Sequence, residues 1–583
     1  MSLFKKNQPS AEPRRYGCLR SCLICFVVYL GLSVLCGILF GSLMDSSVKL
    51  KDDTVYVLKM KGTLVEQGPE DDPFGGVLED MPYMNSDEVV GLDDLKENIL
   101  FAKEDKRIRG IMLNVEGMSM GQASAKALRD ALADFKQSGK FVYAYADNYS
   151  QMNYYVASVA DIVMLNPVGS VDWNGLSAEK MYYKRLLEKV GIDMQIVKVG
   201  TFKSAVEPFI RTSMSEADKA QTMRYMQGIW DVMKRGVAQN RNIEIATLDA
   251  LADRYMGLQT ADDCRLAGLV DTLLYREQVD SLLKKQMDVK KYNTISTASL
   301  LSVERVEHKV DNEIAVLYAE GDIVDSGNEG ISSKKIRKQI NKIYKDKNVK
   351  ALVLRVNSPG GSASASEAIW YALSRLKEKN KPVIVSMGDY AASGGYYISS
   401  GADYIFAEEN TITGSIGIFG MIPSFAQLRD KLGVDIDGVN TNKHSDLEVN
   451  ATYKGMNETE YALMQRMVDN GYDLFTRRCA EGRGKTQDEI KQIAEGRVWL
   501  GTDALNLGLV DELGGMEQAI VKAADLAELS DYKVVYYPEK KDFLTTLMER
   551  FDTSTTEERL VKKIRQMCAE SRIMAWWDAP VIK

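Results

Sequence analysis

The chain has 583 residues, of which 45% are hydrophobic and 27% charged, a net charge of −8, and two histidines. The length points to more than one domain of ordinary globular composition. The acidic balance argues against nucleic acid as a partner, because phosphate binding needs a basic face.

Residues 21–44, "SCLICFVVYLGLSVLCGILFGSLM", carry no charge. As a helix they would span about 36 Å, enough to cross a hydrocarbon core of roughly 30 Å. Lys5, Lys6, Arg14, Arg15 and Arg20 precede the run, against one acid, Glu12. Positive residues stay on the cytoplasmic side. The expectation is a cytoplasmic segment 1–20, an uncleaved single-pass anchor 21–44, and a body outside the cytoplasm. A cleaved signal peptide has a shorter apolar core and small residues at its cut, which "FGSLMDSS" does not supply. Cys18, Cys22, Cys25 and Cys36 lie in or beside the run, whereas Cys264, Cys479 and Cys568 are far apart. Outside the run no Cys/His spacing suggests a metal, and the body is expected to be held by its core rather than by disulfides.

Beyond the anchor the chain repeats itself. "IRGIMLNVEGMSMGQASAKALRDALADFKQSGK" from Ile108 matches "VKALVLRVNSPGGSASASEAIWYALSRLKEKNK" from Val349. "DNYSQMNYYVASVADIV" from Asp147 matches "DYAASGGYYISSGADYI" from Asp389. "GSVDWNG" matches "GSIGIFG", "EKVGID" matches "DKLGVD", and "AGLVD" matches "LGLVD", all in order. The body therefore reads as a duplication: one unit at 54–283, a polar connector at 284–311, a second unit at 312–529, and a tail at 530–583, taken as a surface helix and fraying end. Apolar strands alternate with amphipathic helical segments, which implies α/β units with buried strands. A β-spiral of the crotonase and Clp protease kind fits this alternation, but the pattern alone does not separate it from other α/β folds.

The halves differ where chemistry would sit. Ser393, at a strand-to-helix turn in "GDYAASGGYY", faces Gln151 in the first half, and "NSPGG" (residues 357–361) faces "EGMSM". Conversely, Lys203 in "KVGTFKSAVEPF" aligns near Ser445 in "NTNKHSDLEV". A serine hydroxyl needs a base. His308 lies among charges in the connector and His444 in a polar run. A lysine serves if burial lowers its pKa. Lys203 has that setting, and Lys443 is its rival near the aligned position. The backbone N–H groups of Gly394 and of Gly360 or Gly361 are candidate oxyanion donors, although Pro-Gly-Gly also makes an ordinary turn.

"GDYAASGGYYISSGADYIFAEENTITGSIGIFG", "NSPGGSASASE" and "GTFKSAVEPF" closely resemble the signal peptide peptidase A (protease IV) family in its long form with two fused repeats. The resemblance covers nearly the whole chain. It implies a serine–lysine dyad with Ser393 as nucleophile and Lys203 as general base, drawn from different repeats. It also implies that Ser415 helps hold the lysine and that no cofactor is needed. It further implies a homo-oligomer, a tetramer, at the bacterial inner membrane, facing the periplasm and degrading remnant signal peptides and other apolar peptides. Two other readings remain: a crotonase-type acyl-thioester enzyme, in which Ser393 is incidental, and a non-enzymatic membrane quality-control scaffold.

Overall fold

The computed structural model describes residues 49–68, 89–305, 310–327, 330–538, 574–576 and 581–582. The expected anchor, His308 and Cys568 lie outside them. Among the described residues no helix is long and apolar enough to cross a membrane.

Two sheets carry the body, the first parallel throughout and the second parallel except at one antiparallel pair, Ile412–Gly414 with Val498–Leu500. The first contains β1 (Thr54–Val65), β2 (Val89–Gly91), β3 (Ile108–Ser119), β4 (Phe141–Ala146), β5 (Ile162–Leu165), β8 (Thr272–Leu273) and β9 (Asn293–Ile295), in the order β2–β1–β3–β4–β5–β8 with β9 on β1. The second contains β10 (Glu313–Glu320), β13 (Val349–Ser358), β15 (Val383–Ala392), β16 (Tyr404–Ala407), β17 (Ile412–Gly414), β19 (Val498–Leu500), β20 (Glu512–Leu513) and β21 (Lys533–Tyr537). The run β10–β13–β15–β16–β20 repeats the run β1–β3–β4–β5–β8. The closing strand also returns to the same place: β9 pairs with β1, and β21 with β10. So the connector and the tail each supply a sheet strand. The described residues of the tail carry strands, and residues 539–573 of the segment expected to form a surface helix lie outside the described residues. Strands of three to five residues leave too short a period to be read from sequence.

A smaller sheet joins the units. It contains β7 (Asp193–Lys198), β11 (Ile323–Val324), β12 (Ile331–Ser332), β14 (Gly360–Ser362), β18 (Phe419–Ser424) and β22 (Met574–Trp576), in the order β12–β11–β14–β22–β18–β7. A two-stranded pair completes the set: β6 (Ala178–Glu179) with β23 (Val581–Ile582). β7 comes from the first unit and β18 from the second, antiparallel from Phe419↔Lys198 to Ser424↔Asp193.

The helices cover these sheets through apolar stripes. Helix Gln122–Lys136 buries Ala125, Leu128, Leu132 and Phe135, spaced three and four apart so that they share one face. Its counterpart Ala363–Ser374 buries Ala365, Ile369 and Leu373. The cores interpenetrate. Ala392, Ile412, Val498 and Leu500 of the second unit lie in the first unit's core, and Val197 of β7 lies in the second's. Ala392 immediately precedes Ser393, so the packing of one repeat locates the candidate nucleophile of the other.

Candidate active site

Ser393 joins β15 to the short helix Gly394–Ser399 with φ 55° and ψ −113°. Such a backbone on a non-glycine residue costs about 1–3 kcal/mol and persists only where the surroundings over-determine it. Here its N–H donates to the Gly414 carbonyl at 2.8 Å, and its carbonyl accepts from the Tyr397 N–H at 2.8 Å. Ser358 at the end of β13 pairs with Ala391, two residues before Ser393. Gly395 lies against the same strand: a Cβ there would fall 2.6 Å from the Ser358 carbonyl. The glycine loop is thereby fixed beside the helix start. Gly394 N–H is among the donors a helix leaves without an intrahelical acceptor. Gly360, at φ 113°, donates its N–H to Ser358 Oγ at 3.2 Å, and Gly361 stands at φ 151°.

Lys203 arrives from the first unit. It follows β7 through a turn at Gly200, whose φ of +99° and close approach to the Glu495 carbonyl leave no room for a side chain. Its Nζ lies 2.8 Å from Ser393 Oγ, 3.0 Å from Ser415 Oγ and 3.1 Å from the Ser415 carbonyl. Lys203 is 1% exposed, and Ser393 and Ser415 are 0%. Desolvation alone pushes the amine well below its ordinary value. The three contacts suit a neutral amine. Its lone pair accepts from the Ser393 hydroxyl, and its two N–H groups donate to the Ser415 carbonyl and hydroxyl. The Ser415 hydroxyl in turn donates to the Gly496 carbonyl at 3.3 Å.

Other residues complete the setting, although sequence reasoning did not single them out. Gly417 and Gly496 form a floor under the lysine stem: a Cβ on Gly496 would fall 2.7 Å from Lys203 Cβ, and one on Gly417 3.4 Å from Lys203 Cδ. Buried Gln221 braces the lysine turn, donating to the Phe202 carbonyl at 3.1 Å and to Ser204 Oγ at 3.2 Å. Gly496 also has φ +75°. Gly496→Ala should therefore both strain the backbone and lift the lysine. A misplacement of about 1 Å costs on the order of 100-fold in rate, so a fluorophosphonate should label Ser393 about 100-fold more slowly in this variant.

The alternative bases lie elsewhere. Lys443 is exposed and His444 half-buried, in a turn whose hydrogen bonds are local, such as the Ser445 N–H to the Asn442 carbonyl at 3.3 Å. In the first repeat Gln151 plugs the position equivalent to Ser393. Its Oε1 accepts from the N–H groups of Asn174 and Gly175 at 2.8 and 3.0 Å, and its Nε2 donates to the Gly175 carbonyl at 3.0 Å. Among the described residues no group of His, Cys, Asp or Glu side chains could hold a metal.

A polar clamp ties the units together behind the site. Asp389, four residues before Ser393, accepts from the N–H groups of Ala123 and Ser124 at 2.7 and 3.0 Å and from Ser124 Oγ at 2.7 Å. It caps helix Gln122–Lys136 of the other repeat. Gly121 leaves it room, since a Cβ there would sit 2.1 Å from the carboxylate. Arg355 pairs with Glu66 across the units at 2.8 and 3.1 Å, with both side chains at most 3% exposed. Burial, and secondarily the Glu66 charge, push neighbouring Glu320 up to about 7. Asn357, at the head of the glycine loop, donates to Glu66 at 3.1 Å and accepts from the Tyr390 N–H at 3.1 Å.

The family model of peptidase family S49 matches residues 134–290 and 375–530. The first segment holds Lys203 and the second Ser393 and Ser415. Protease 4 of Haemophilus influenzae is 37% identical, over 93% of this chain and 91% of that one. Protease 4 of Salmonella typhi is 35% identical, over 96% and 90%. The chloroplastic serine protease SPPA of Arabidopsis thaliana is 29% identical, over 76% and 66%. With the family unit matched twice and relatives of this likeness spanning nearly its full length, the chain belongs to peptidase family S49, in the long form that carries the repeat in tandem.

Proposed function

We infer that the protein is a serine endopeptidase working through a Ser393–Lys203 dyad. The observation that carries this is the 2.8 Å contact of a fully buried lysine amine with a buried serine hydroxyl on a strained turn. Neutral Lys203 takes the Ser393 proton as Oγ attacks a peptide carbonyl. The N–H of Gly394 and one from the Gly360–Gly361 loop hold the oxyanion. The tetrahedral adduct collapses to an acyl-enzyme, and the leaving amine takes the proton from Lys203. Water, deprotonated by the again neutral Lys203, then hydrolyses the ester, and Lys203 returns that proton to Ser393 Oγ. Ser415 orients the amine by accepting its two N–H groups.

Each repeat is read as a crotonase/Clp-type unit, supported by the recurring strand order. Residues 21–44 anchor the chain in the bacterial cytoplasmic membrane with the body on the periplasmic side, so the substrates within reach are apolar peptides such as signal peptide remnants. Assembly into a homo-oligomer is consistent with exposed apolar side chains on both units, among them Val168, Met181, Leu186, Leu432 and Val439, and the family resemblance supplies the tetramer. A fluorophosphonate probe tests the site directly. The wild type should be labelled at Ser393, Ser393→Ala should take no label, and labelling insensitive to that substitution would refute the dyad.

A further inference from the structure

Arg497, one residue before β19, is a cation held by rings. Its guanidinium carbon lies 4.9 Å from the centroid of the Phe202 ring and 4.1 Å from that of Trp499. Among the described residues it forms no ion pair, and its buried Nε has no hydrogen-bond partner. A planar guanidinium is attracted to the negative face of an aromatic ring, so two faces take the place of a carboxylate here. Phe202 belongs to the first unit and immediately precedes Lys203, whereas Arg497 and Trp499 belong to the second. All three are half-buried.

The backbone around Arg497 reaches every part of the site. The Phe202 N–H donates to the Glu495 carbonyl at 3.0 Å, and the Ser415 N–H donates to the Arg497 carbonyl at 2.7 Å. Val498 pairs with Gly414, whose carbonyl accepts from the Ser393 N–H. One short stretch thus touches the lysine turn, the serine that orients the amine and the nucleophile turn. The Arg497 side chain closes that stretch over Phe202. The first unit shows the same stretch without the chemistry. Counting back from the matched helices Ala261–Leu266 and Gly501–Asn506, Glu495 corresponds to Tyr255, Gly496 to Met256, Arg497 to Gly257 and Trp499 to Gln259. The bend is kept, since Tyr255 and Glu495 both stand in the left-handed region at φ 57° and 52°. The stack is not kept, and a Cβ on Gly257 would fall 2.3 Å from Asp172 Oδ1. The arginine is therefore not needed to make the bend, and it occurs in the repeat that holds Ser393.

We propose that Arg497 is a positioning residue of the dyad, its guanidinium clamping Phe202 against Trp499 so that Lys203 Nζ stays on Ser393 Oγ. The inference rests on the Ser393–Lys203 reading of the site. Rings suit this clamp better than an acid would. A carboxylate brought beside the lysine turn to pair with Arg497 would favour the ammonium form of Lys203, and an ammonium takes no proton. Aromatic faces hold the arginine without adding a negative charge.

The test compares the full chain with full-length Arg497→Gln, which removes the cation, and Arg497→Lys, which keeps one between the rings. In Arg497→Gln, fluorophosphonate labelling of Ser393 and kcat for a fluorogenic apolar peptide should fall about tenfold or more, because a shift of about 1 Å costs on the order of 100-fold. KM should stay within about twofold, since binding is not what the clamp serves. Arg497→Lys should recover to within about threefold of wild type. Hydrogen exchange at the Phe202 amide should quicken about tenfold in Arg497→Gln and stay slow in Arg497→Lys. Should Arg497→Gln fail to fold, Trp499→Leu, which removes one ring face, carries the same expectations. Wild-type rates in Arg497→Gln, a loss that Arg497→Lys shares in full, or a loss carried by KM would overturn the proposal. Should the wild type itself take no label at Ser393, the peptidase reading fails. In that case quickened exchange at Phe202 in Arg497→Gln alone upholds the clamp, and unchanged exchange overturns it.

Discussion

Lys203→Met should lower kcat/KM for an apolar peptide about ten-thousand-fold or more while leaving the fold intact. General-base catalysis alone is worth about 100- to 10,000-fold, and units of nucleophile and base lose still more when either is removed. Methionine fills nearly the same volume above Gly417 and Gly496 without the amine. Lys203→Arg should not rescue, because a guanidinium does not give up its proton. The same residue sets the pH profile. Its folded-state value is lowered by burial, so the neutral fraction, and with it kcat/KM, should rise with pH through that lowered value and level off above it. Stability follows the same sign. Between the lowered value and the ordinary 10.5, the unfolded chain binds a proton that the folded chain does not, so stability rises with pH there. The handicap is full below the lowered value and gone above 10.5. At pH 7 Lys203→Met should therefore melt no lower than the wild type, and higher if the amine stays neutral there. A melting temperature several degrees lower would mean that the buried amine is charged and paired.

Asp389→Ala should be the most damaging substitution outside the dyad. It strands two buried N–H groups and a hydroxyl at the start of helix Gln122–Lys136, each costing about 1–3 kcal/mol when left unpaired, partly relieved by entering water. A net loss of about 2–4 kcal/mol corresponds to a fall of about 5–10 °C in a unit of this size. The second effect is catalytic. Asp389 anchors the strand that leads into Ser393 to the repeat that delivers Lys203, so kcat should drop about 10- to 100-fold with less change in KM. Asp389→Asn retains one acceptor and should lose about half as much stability. Thermal melts and steady-state kinetics on the full chain check both. If Asp389→Ala melted normally, the clamp would not be what joins the units.

Duplication made the dyad legible. Gln151 opposite Ser393, and a serine-containing polar loop opposite Lys203, are differences visible in aligned text, and the alignment asks each half what it lacks. The glycine floor carried no such signal. Gly417 stands inside a noticed motif and Gly496 in an ordinary one, and their purpose is a distance to a lysine more than 200 residues away. Asp389 stands in the same stretch as Ser393, "GDYAASGGYY", yet its partners are N–H groups about 265 residues earlier. The tail strand escaped for a different reason. Three residues have no periodicity to read, and their pairing is decided by open edges elsewhere in the fold.

The lysine of one repeat meeting the serine of the other has a consequence for how such a gene can change. A duplicated copy is usually free to drift, and here the first carries Gln151 where the second has Ser393, while the second has a polar loop where the first has Lys203. On the proposed mechanism a copy that is lost takes its twin's chemistry with it, because one copy alone holds a base and no target, the other a target and no base. The two copies are inherited as a single unit of selection, joined by a contact of 2.8 Å.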